Sequence, residues 1–507
     1  MIYIDPPYNT GNDFIYPDNY SDPLDTYLRI SGQKDEEGNL LTSNPETNGH
    51  YHSKWLSMMY PRLFLARQLL RDDGAVFVSI DDNEAHNLRM IMNEIFGEEN
   101  FVANVIWEKK FSPQNDAKYF SDNHDHILVY SKYKEVWHRN LLPRTEQTNQ
   151  RYSNPDNDPR GVWSSSDLSA KTYSQSYDYP ITTPTGRVVN PPNGRSWIMS
   201  EKDIKKLIAD NRIWFGENGS NVPRIKRFLS EVQQGIVPLT IWKHTEVSHN
   251  QEAMQELKTL VGDIVLELAD RTFTPKPVRL IKRMLEIATN SDGNDIILDF
   301  FAGSGTTAQA VMEQNAIDGG NRRFVLVQLP EKTGNENFPT ISHICMERIK
   351  RAGDRLKENR ENELDFGDRD RQDTGFRFFR LAQSDVRKWN PEIVISSADE
   401  YIEKLELTMD PLLDGWTGEN IIFETALSMG YSLSIDIARV EIDYAEVFRV
   451  SDKEKEQSFL ICLDESFSIE KARALNLTRE LIFVCRDAAL DDTLAANLAL
   501  QCRLKTI

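Results

Sequence analysis

Residues Asp295 to Thr307 read Asp-Ile-Ile-Leu-Asp-Phe-Phe-Ala-Gly-Ser-Gly-Thr-Thr, and Ala308-Gln309-Ala310-Val311 follow. An apolar strand runs into a Gly-x-Gly turn and then into a helix of good formers. Glycine lets a backbone approach a ligand closely, and a helix start offers it unpaired N–H groups. This is the grammar of an α/β sheet that binds its ligand at the carboxyl ends of its strands. A phosphate loop is excluded, because no lysine follows the second glycine. The three-glycine dinucleotide fingerprint fails as well, since Gln309 and its neighbours supply no third glycine.

The chain opens on a second strand end, Met1-Ile2-Tyr3-Ile4-Asp5-Pro6-Pro7-Tyr8-Asn9-Thr10-Gly11. Met1–Ile4 predicts a buried strand, and the prolines must end it, because each lacks an amide donor and fixes φ. Asp5 and Tyr8 therefore sit in a stiff turn beyond the strand. A carboxylate, unladdered carbonyls at Asp5 and Pro6, and the Tyr8 ring suit an exocyclic amino group on a planar base. Taken alone, such a proline turn is also an ordinary way to end a strand.

Net charge is −20 over 507 residues, which argues against a polyanionic partner if read as a sum. Its distribution says otherwise. Residues 133–260 hold 17 Lys and Arg against 14 Asp and Glu, whereas residues 350–507 hold 22 against 32. The middle segment escapes the acidic bias and also holds Trp137, Trp163, Trp197, Trp214 and Trp242, five of nine tryptophans. Aromatic and basic residues in an irregular segment fit a nucleic-acid-reading insert, and the same tryptophans would equally make a small core. Cys345, Cys462, Cys485 and Cys502 show no paired spacing and read as reduced, buried cysteines of a cytoplasmic protein. No apolar stretch approaches a membrane span.

Between these landmarks, residues 12–48 predict a long polar loop beside the site. Trp55–Leu70 predicts an amphipathic helix in which Pro61 marks a kink or a start. Ala75–Ile80 predicts a buried strand, followed by a helix over Ala85–Phe96 capped by Asp82 or Asn83. Asp81, at that strand's carboxyl end, is placed equally well as a capping or a pocket-lining residue. Val102–Glu108 and Ile127–Tyr130 read as a strand pair. His124 and His126 lie beside Asp122 and Asp125 without further spaced ligands, so no metal is expected. Further helices are predicted over Val278–Thr289, Ile341–Glu358, Ile402–Leu407 and Ile469–Leu475. Strands are predicted over Phe324–Leu329, Val447–Val450, Phe459–Leu463 and Leu481–Val484. Arg360–Asp373 reads as a charged, solvated connector.

Asp5-Pro6-Pro7-Tyr8 followed by Asp299-Phe300-Phe301-Ala302-Gly303-Ser304-Gly305-Thr306-Thr307 resembles the beta group of amino-DNA methyltransferases, whose catalytic motif precedes the cofactor motif. Within that group, Asp5–Gly11, Val78–Glu84, Thr274–Pro277 and Leu498–Ile507 are similar to the modification (Mod) subunit of type III restriction–modification systems. The resemblance covers nearly the whole chain. It implies a doubly wound, Rossmann-like α/β sheet that uses S-adenosylmethionine, an inserted target recognition domain and a C-terminal α+β domain. The corresponding divisions are 1–132, 133–260, 261–358 and 375–507, the last for docking or dimerisation.

The implied reaction is methyl transfer to N6 of an adenine flipped out of duplex DNA. Asp5, Pro6, Pro7 and Tyr8 would be catalytic. Asp299, Phe301, Ala302, Gly303, Ser304, Gly305 and Thr306 would hold the cofactor, together with Phe273, Thr274 and Lys276 at the entry to the next helix. Gln328 stands where relatives commonly carry an acid for the ribose hydroxyls, with Glu331 as a substitute. Arg224, Lys226 and Arg227, read as a helix start, would meet phosphates. Implied partners are duplex DNA, a second copy of the chain and a restriction (Res) helicase–nuclease subunit. Relatives carry a strand and a helix ahead of the Asp-Pro-Pro-Tyr turn, so a fragment or an alternative start is expected here. Cytosine-N4 transfer and an inactive DNA-binding specificity subunit stay open as alternatives.

Overall fold

The computed structural model describes residues 1–10, 51–267, 274–362, 373–387, 411–442 and 445–507. The predicted loop 12–48, Phe273, most of the charged connector and the predicted helix 402–407 lie outside them. The chain divides into two units, residues 1–378 and 379–507.

The first unit is built on seven strands: β1 (Ile2–Ile4), β2 (Ala75–Ile80), β3 (Phe101–Glu108), β4 (His124–Ser131), β5 (Ile241–Trp242), β6 (Ile296–Asp299) and β7 (Arg323–Leu326). Their order across the sheet is β5-β3-β4-β2-β1-β6-β7. Every neighbouring pair is parallel except those made by β4, which runs antiparallel to both β2 and β3. β1 is thus central, with β2 and β6 on its two sides. The strand ending in Asp5 and the strand ending in Asp299 are adjacent, as expected of a doubly wound sheet.

β1 and β2 are buried along their whole length, as central parallel strands with both faces covered must be. Their residues alternate between two cores. Ile2, Ile4, Val76, Val78 and Ile80 face helices α1 (Tyr51–Leu69) and α2 (Ala85–Phe96), packing on Trp55, Met58, Leu88 and Met92. Tyr3, Ala75 and Phe77 face the other layer. α3 (Asn250–Glu267) follows β5, and that second layer holds α4 (Val278–Ala288) and α5 (Thr306–Asp318). α6 (Ile341–Asn362) packs on α5 and α3.

Several local expectations shift. Pro61 lies inside α1 rather than at its start. The residue preceding α2 is Glu84, and it makes no side-chain cap. Asp81 instead accepts the Asn83 N–H at 3.0 Å, closing its own turn, while Glu84 is committed to the site below.

Residues 133–240 leave the main sheet and form small sheets, one of them pairing Ile213–Trp214, Arg224–Phe228 and Trp163–Asp167. A small core there holds Leu168, Trp197, Ile204 and Phe215. Trp242 returns to the main sheet on β5, and α3 packs on α6, so the inserted part ends before residue 241.

The second unit holds a five-stranded sheet, ordered Asp436–Val440, Val447–Asp452, Gln457–Cys462, Ile482–Cys485, Arg503–Thr506. Its first two pairings are antiparallel and its last two parallel. Helices Gly418–Ser428, Ile469–Ala474 and Asp492–Gln501 accompany it, and Cys462, Cys485 and Cys502 are buried free thiols in its core. Among the described residues, no helix is long and apolar enough to cross a membrane.

Candidate active site

The turn after β1 is held from three sides. Trp55 on α1 donates its indole N–H to the Pro7 carbonyl at 2.7 Å. Asn9 is fully buried at φ +59°, a left-handed conformation that Asn tolerates better than most residues. Its amide donates to Glu84 Oε1 at 2.5 Å, and His52 Nδ1 meets the same oxygen at 2.6 Å. Below the ring, the Tyr8 hydroxyl donates to Asp125 Oδ2 at 3.3 Å, and Lys109 donates to Asp125 Oδ1 at 2.7 Å. Tyr8 is therefore fixed both at its backbone and at its phenol.

Asp5 faces Lys276, whose ammonium lies 2.9 Å from Asp5 Oδ1 and 4.8 Å from the centroid of the Tyr8 ring. Burial pushes the Asp5 carboxyl above its ordinary range, and Lys276 and the Tyr8 hydroxyl pull it back. The Tyr8 phenol is driven well above its usual value, first by burial and then by Asp5 and Asp125, and stays protonated. Lys276 was expected beside the cofactor strand. The structure pairs it with Asp5 in the turn after β1.

One strand over, Asp299 ends β6 buried. Its Oδ1 accepts the Phe301 N–H at 3.1 Å and its Oδ2 accepts the Thr307 hydroxyl at 2.5 Å, tying the two ends of the glycine loop together. Burial raises this carboxyl to about 7 against those two hydrogen bonds. Gly303 has φ +51°, and a Cβ there would meet nothing nearer than the Phe301 carbonyl at 3.8 Å. At Gly305, φ is +80° and a Cβ would stand 2.8 Å from Cys345 Sγ on α6. The two glycines do different work: Gly303 leaves open space above the loop, and Gly305 lets α6 close beneath it.

Arg348 of α6 is fully buried under the loop. It donates from Nε to Gln309 Oε1 at 2.8 Å and from Nη1 to Ser304 Oγ at 2.8 Å and Thr306 Oγ1 at 2.7 Å. Burial lowers its guanidinium to about 10. Gln328 accepts the Gly303 N–H at 2.7 Å and lies 3.4 Å from Glu331 Oε1, so it braces the loop from the end of β7. Phe301 and Ala302 line the same turn, partly and fully buried, and Thr274 is exposed.

The expected phosphate contacts need correction. Arg224, Lys226 and Arg227 lie on a strand, not a helix start, because Arg224–Phe228 pairs with Trp163–Asp167. Period-two alternation sets Lys226 and Phe228, both buried, on the face opposite exposed Arg227, while Arg224 shares their face but is exposed at the strand's first position. Lys226 is fully buried, paired with Asp156 and, at 3.1 Å, Asp158, and lies over the rings of Trp163 and Trp214. It staples the insert and cannot reach a phosphate. Arg224 and Arg227 donate to the hydroxyls of Ser165 and Ser166.

Asp82, His124 and His126 bring potential ligand atoms within 4.8 Å of one another, a grouping not foreseen from the sequence. His126 there meets Asp82 at 2.8 Å and Asn104 at 3.1 Å.

Sequence reasoning missed Asn9, Glu84, Asp125, Lys109 and Arg348. Two carried a readable signal. Asp125 is an acid at an inward position of β4, in register with Ile127 and Val129. Arg348 is a base in the buried stripe Ile344, Cys345, Ile349, Ala352.

An open, mostly parallel sheet with a carboxylate-and-ring turn beside a braced glycine loop at its strand ends defines an α/β ligand-binding domain. Residues 1–318 match the family model for N6/N4 DNA methylases, and the chain belongs to that family. It is 38% identical over 393 residues to the type III restriction-modification enzyme StyLTI Mod subunit of Salmonella typhimurium, covering 75% of this chain and 56% of that one. To the EcoPI Mod subunit of Escherichia phage P1 it is 32% identical over 406 residues, 72% of this chain and 60% of that one. The chain thus spans under two thirds of the length of these curated relatives. Among solved structures, the cytosine-N4-specific PvuII DNA methyltransferase aligns at 12% identity and a TM-score of 0.30, covering 69% of this chain and 85% of that one.

Proposed function

We propose that the chain transfers a methyl group from S-adenosylmethionine to N6 of adenine in duplex DNA, as the modification subunit of a type III restriction–modification system. The observation that carries this reading is the Asp5–Tyr8 pair, held rigid at the end of β1 next to the glycine loop of β6. Membership of the DNA methylase family supports it, as do two relatives named Mod subunits. Asp5 rather than a serine favours adenine over cytosine, given the family's usual pattern.

N6 cannot be approached in line within the base stack, so the base must leave it. Tyr8 stacks on the flipped ring. Asp5 and the Pro6 carbonyl accept the amino protons and hold the nitrogen lone pair out of the ring. Because Trp55, Glu84 and Asp125 fix the turn, its backbone and the Tyr8 ring need not rearrange when the base arrives. The residues of the glycine loop fit the cofactor: Gly303 leaves room for it, and Asp299, Ser304 and Thr306 are held in place by Thr307 and Arg348. When bound, it supplies an electrophilic methyl group on sulfur. Gln328, with Glu331, would meet the ribose hydroxyls at the end of β7. The insert over 133–240 would read the target sequence, and the second unit would dock a second copy or a Res subunit.

Tritiated S-adenosylmethionine with unmethylated phage DNA tests the reading. Labelled N6-methyladenine in the nucleoside digest supports it. Labelled N4-methylcytosine would replace the substrate, and absence of transfer with retained DNA binding would favour a specificity subunit.

A further inference from the structure

Lys276 stands between two rigid prolines, Pro275 and Pro277, at the start of α4, so its backbone is fixed while four methylenes remain free to swing. Its side chain is only 9% exposed. The ammonium meets the two features that a base amino group needs, the Asp5 carboxylate at 2.9 Å and the Tyr8 face at 4.8 Å. The ion pair is close, yet Asp5 Oδ1 is buried without a hydrogen bond of normal geometry among the described residues. That oxygen keeps acceptor capacity for a well-aimed N–H. Trp107 presents a second ring 5.7 Å from the same ammonium, a neighbouring cation–π position into which it can withdraw.

We infer that Lys276 is a positioning residue that guards the Asp5–Tyr8 pair: its ammonium keeps Asp5 charged and is exchanged for the amino group of the incoming base, moving toward Trp107. This rests on the amino-group transfer proposed above. What offsets the lost ion pair is a directed donor for Asp5, a stacked ring on Tyr8 and the Trp107 ring, which takes up the displaced ammonium. The groups facing Asp5 are Lys276, the Tyr8 and Tyr3 phenols, Asp125 with its partner Lys109, and Asp299. Lys276 is the cation in direct contact with it, so its loss leaves a buried carboxylate among acids.

The test compares wild type with Lys276→Met, Lys276→Gln and Lys276→Arg, using tritiated S-adenosylmethionine and unmethylated phage DNA across pH 5–9. In Lys276→Met and Lys276→Gln the acid limb of kcat should move up by about one pH unit or more. Transfer should recover at high pH, and the KM for DNA should not rise, since nothing is left to displace. Lys276→Arg should keep the wild-type limb with a lower kcat, because a two-pronged guanidinium releases a carboxylate less readily. Loss of activity by the same factor at every pH would mark a merely structural lysine and overturn the inference. Should wild type transfer nothing at any pH, the proposed function fails first. The Asp5 carboxyl titration, followed by carbon-13 NMR in the isolated chain, then decides. A titration shifted upward in Lys276→Met or Lys276→Gln supports the guard, and an unshifted one overturns it.

Discussion

Ile2 and Leu298 are register partners in adjacent parallel strands, although 296 positions separate them. Three residues beyond Ile2 lies Asp5, and one beyond Leu298 lies Asp299. This single pairing sets the acceptor turn against the glycine loop, and the chemistry at each can be tested separately.

Asp5→Ala removes the acceptor without touching the strand, whose burial ends at Ile4. Cofactor and DNA binding should persist while methyl transfer falls by several orders of magnitude. Single-turnover kinetics with excess enzyme provides the check, and near wild-type transfer would falsify the assigned role.

Tyr8→Ala should lose about 1–3 kcal/mol of base stacking. Tyr8→Phe should keep most of it, giving up only the 3.3 Å hydrogen bond to Asp125. Fluorescence of 2-aminopurine at the target position, compared across the three proteins, reports the stacking directly.

Gly303→Val and Gly305→Val should both abolish cofactor binding but differ in stability. The side chain at 303 enters open space, whereas at 305 it collides with Cys345. Thermal unfolding without cofactor should show a much larger loss for Gly305→Val. Equal losses would contradict the separate roles of the two glycines.

Asp299 makes stability depend on pH. Its folded carboxyl, at about 7, lies above its unfolded value, so between roughly pH 4 and 7 the native state binds the extra proton. Stability from this group is therefore full at the acid end and is lost as pH rises toward 7. Asp299→Asn removes that loss. Its urea midpoint should exceed that of wild type at pH 8 and the advantage should shrink toward pH 5.

Lys226 and Arg224 give opposite signatures despite standing two residues apart. Lys226→Met strands Asp156 and Asp158 in the insert and should cost about 3 kcal/mol, the low end for a broken buried pair, since Arg160 still holds Asp158. Arg224→Ala should leave stability unchanged and flatten the salt dependence of DNA binding by about one ion. Urea melts and binding isotherms at three salt concentrations separate the two.

The heart of the sheet was legible because β1 and β6 are apolar runs closed by prolines or a Gly-x-Gly turn, and both acids of the site stand at the ends of those runs. Asp5, Tyr8 and Asp299 could be placed for that reason. What the sequence hid were partners supplied from a distance. Glu84 reads only as the last polar residue of the Asp81–Glu84 strand end until Asn9 claims it, and Lys276 reads as a helix entry until Asp5 faces it. Lys226 was misplaced because a five-residue basic–apolar run fits a helix start as well as a strand, and only its pairing with Trp163–Asp167 decides.

The position of β1 inside the sheet, between β2 and β6, carries a consequence for synthesis. Its partner β6 leaves the ribosome about 290 residues later, which at 5–20 residues per second is a wait of roughly 15–60 s. Until then one edge of an entirely buried strand has no neighbour, and the pocket has only half its wall. β1 waits through nearly 300 residues of synthesis for this neighbour, so the nascent chain needs protection for longest where it will eventually do its chemistry.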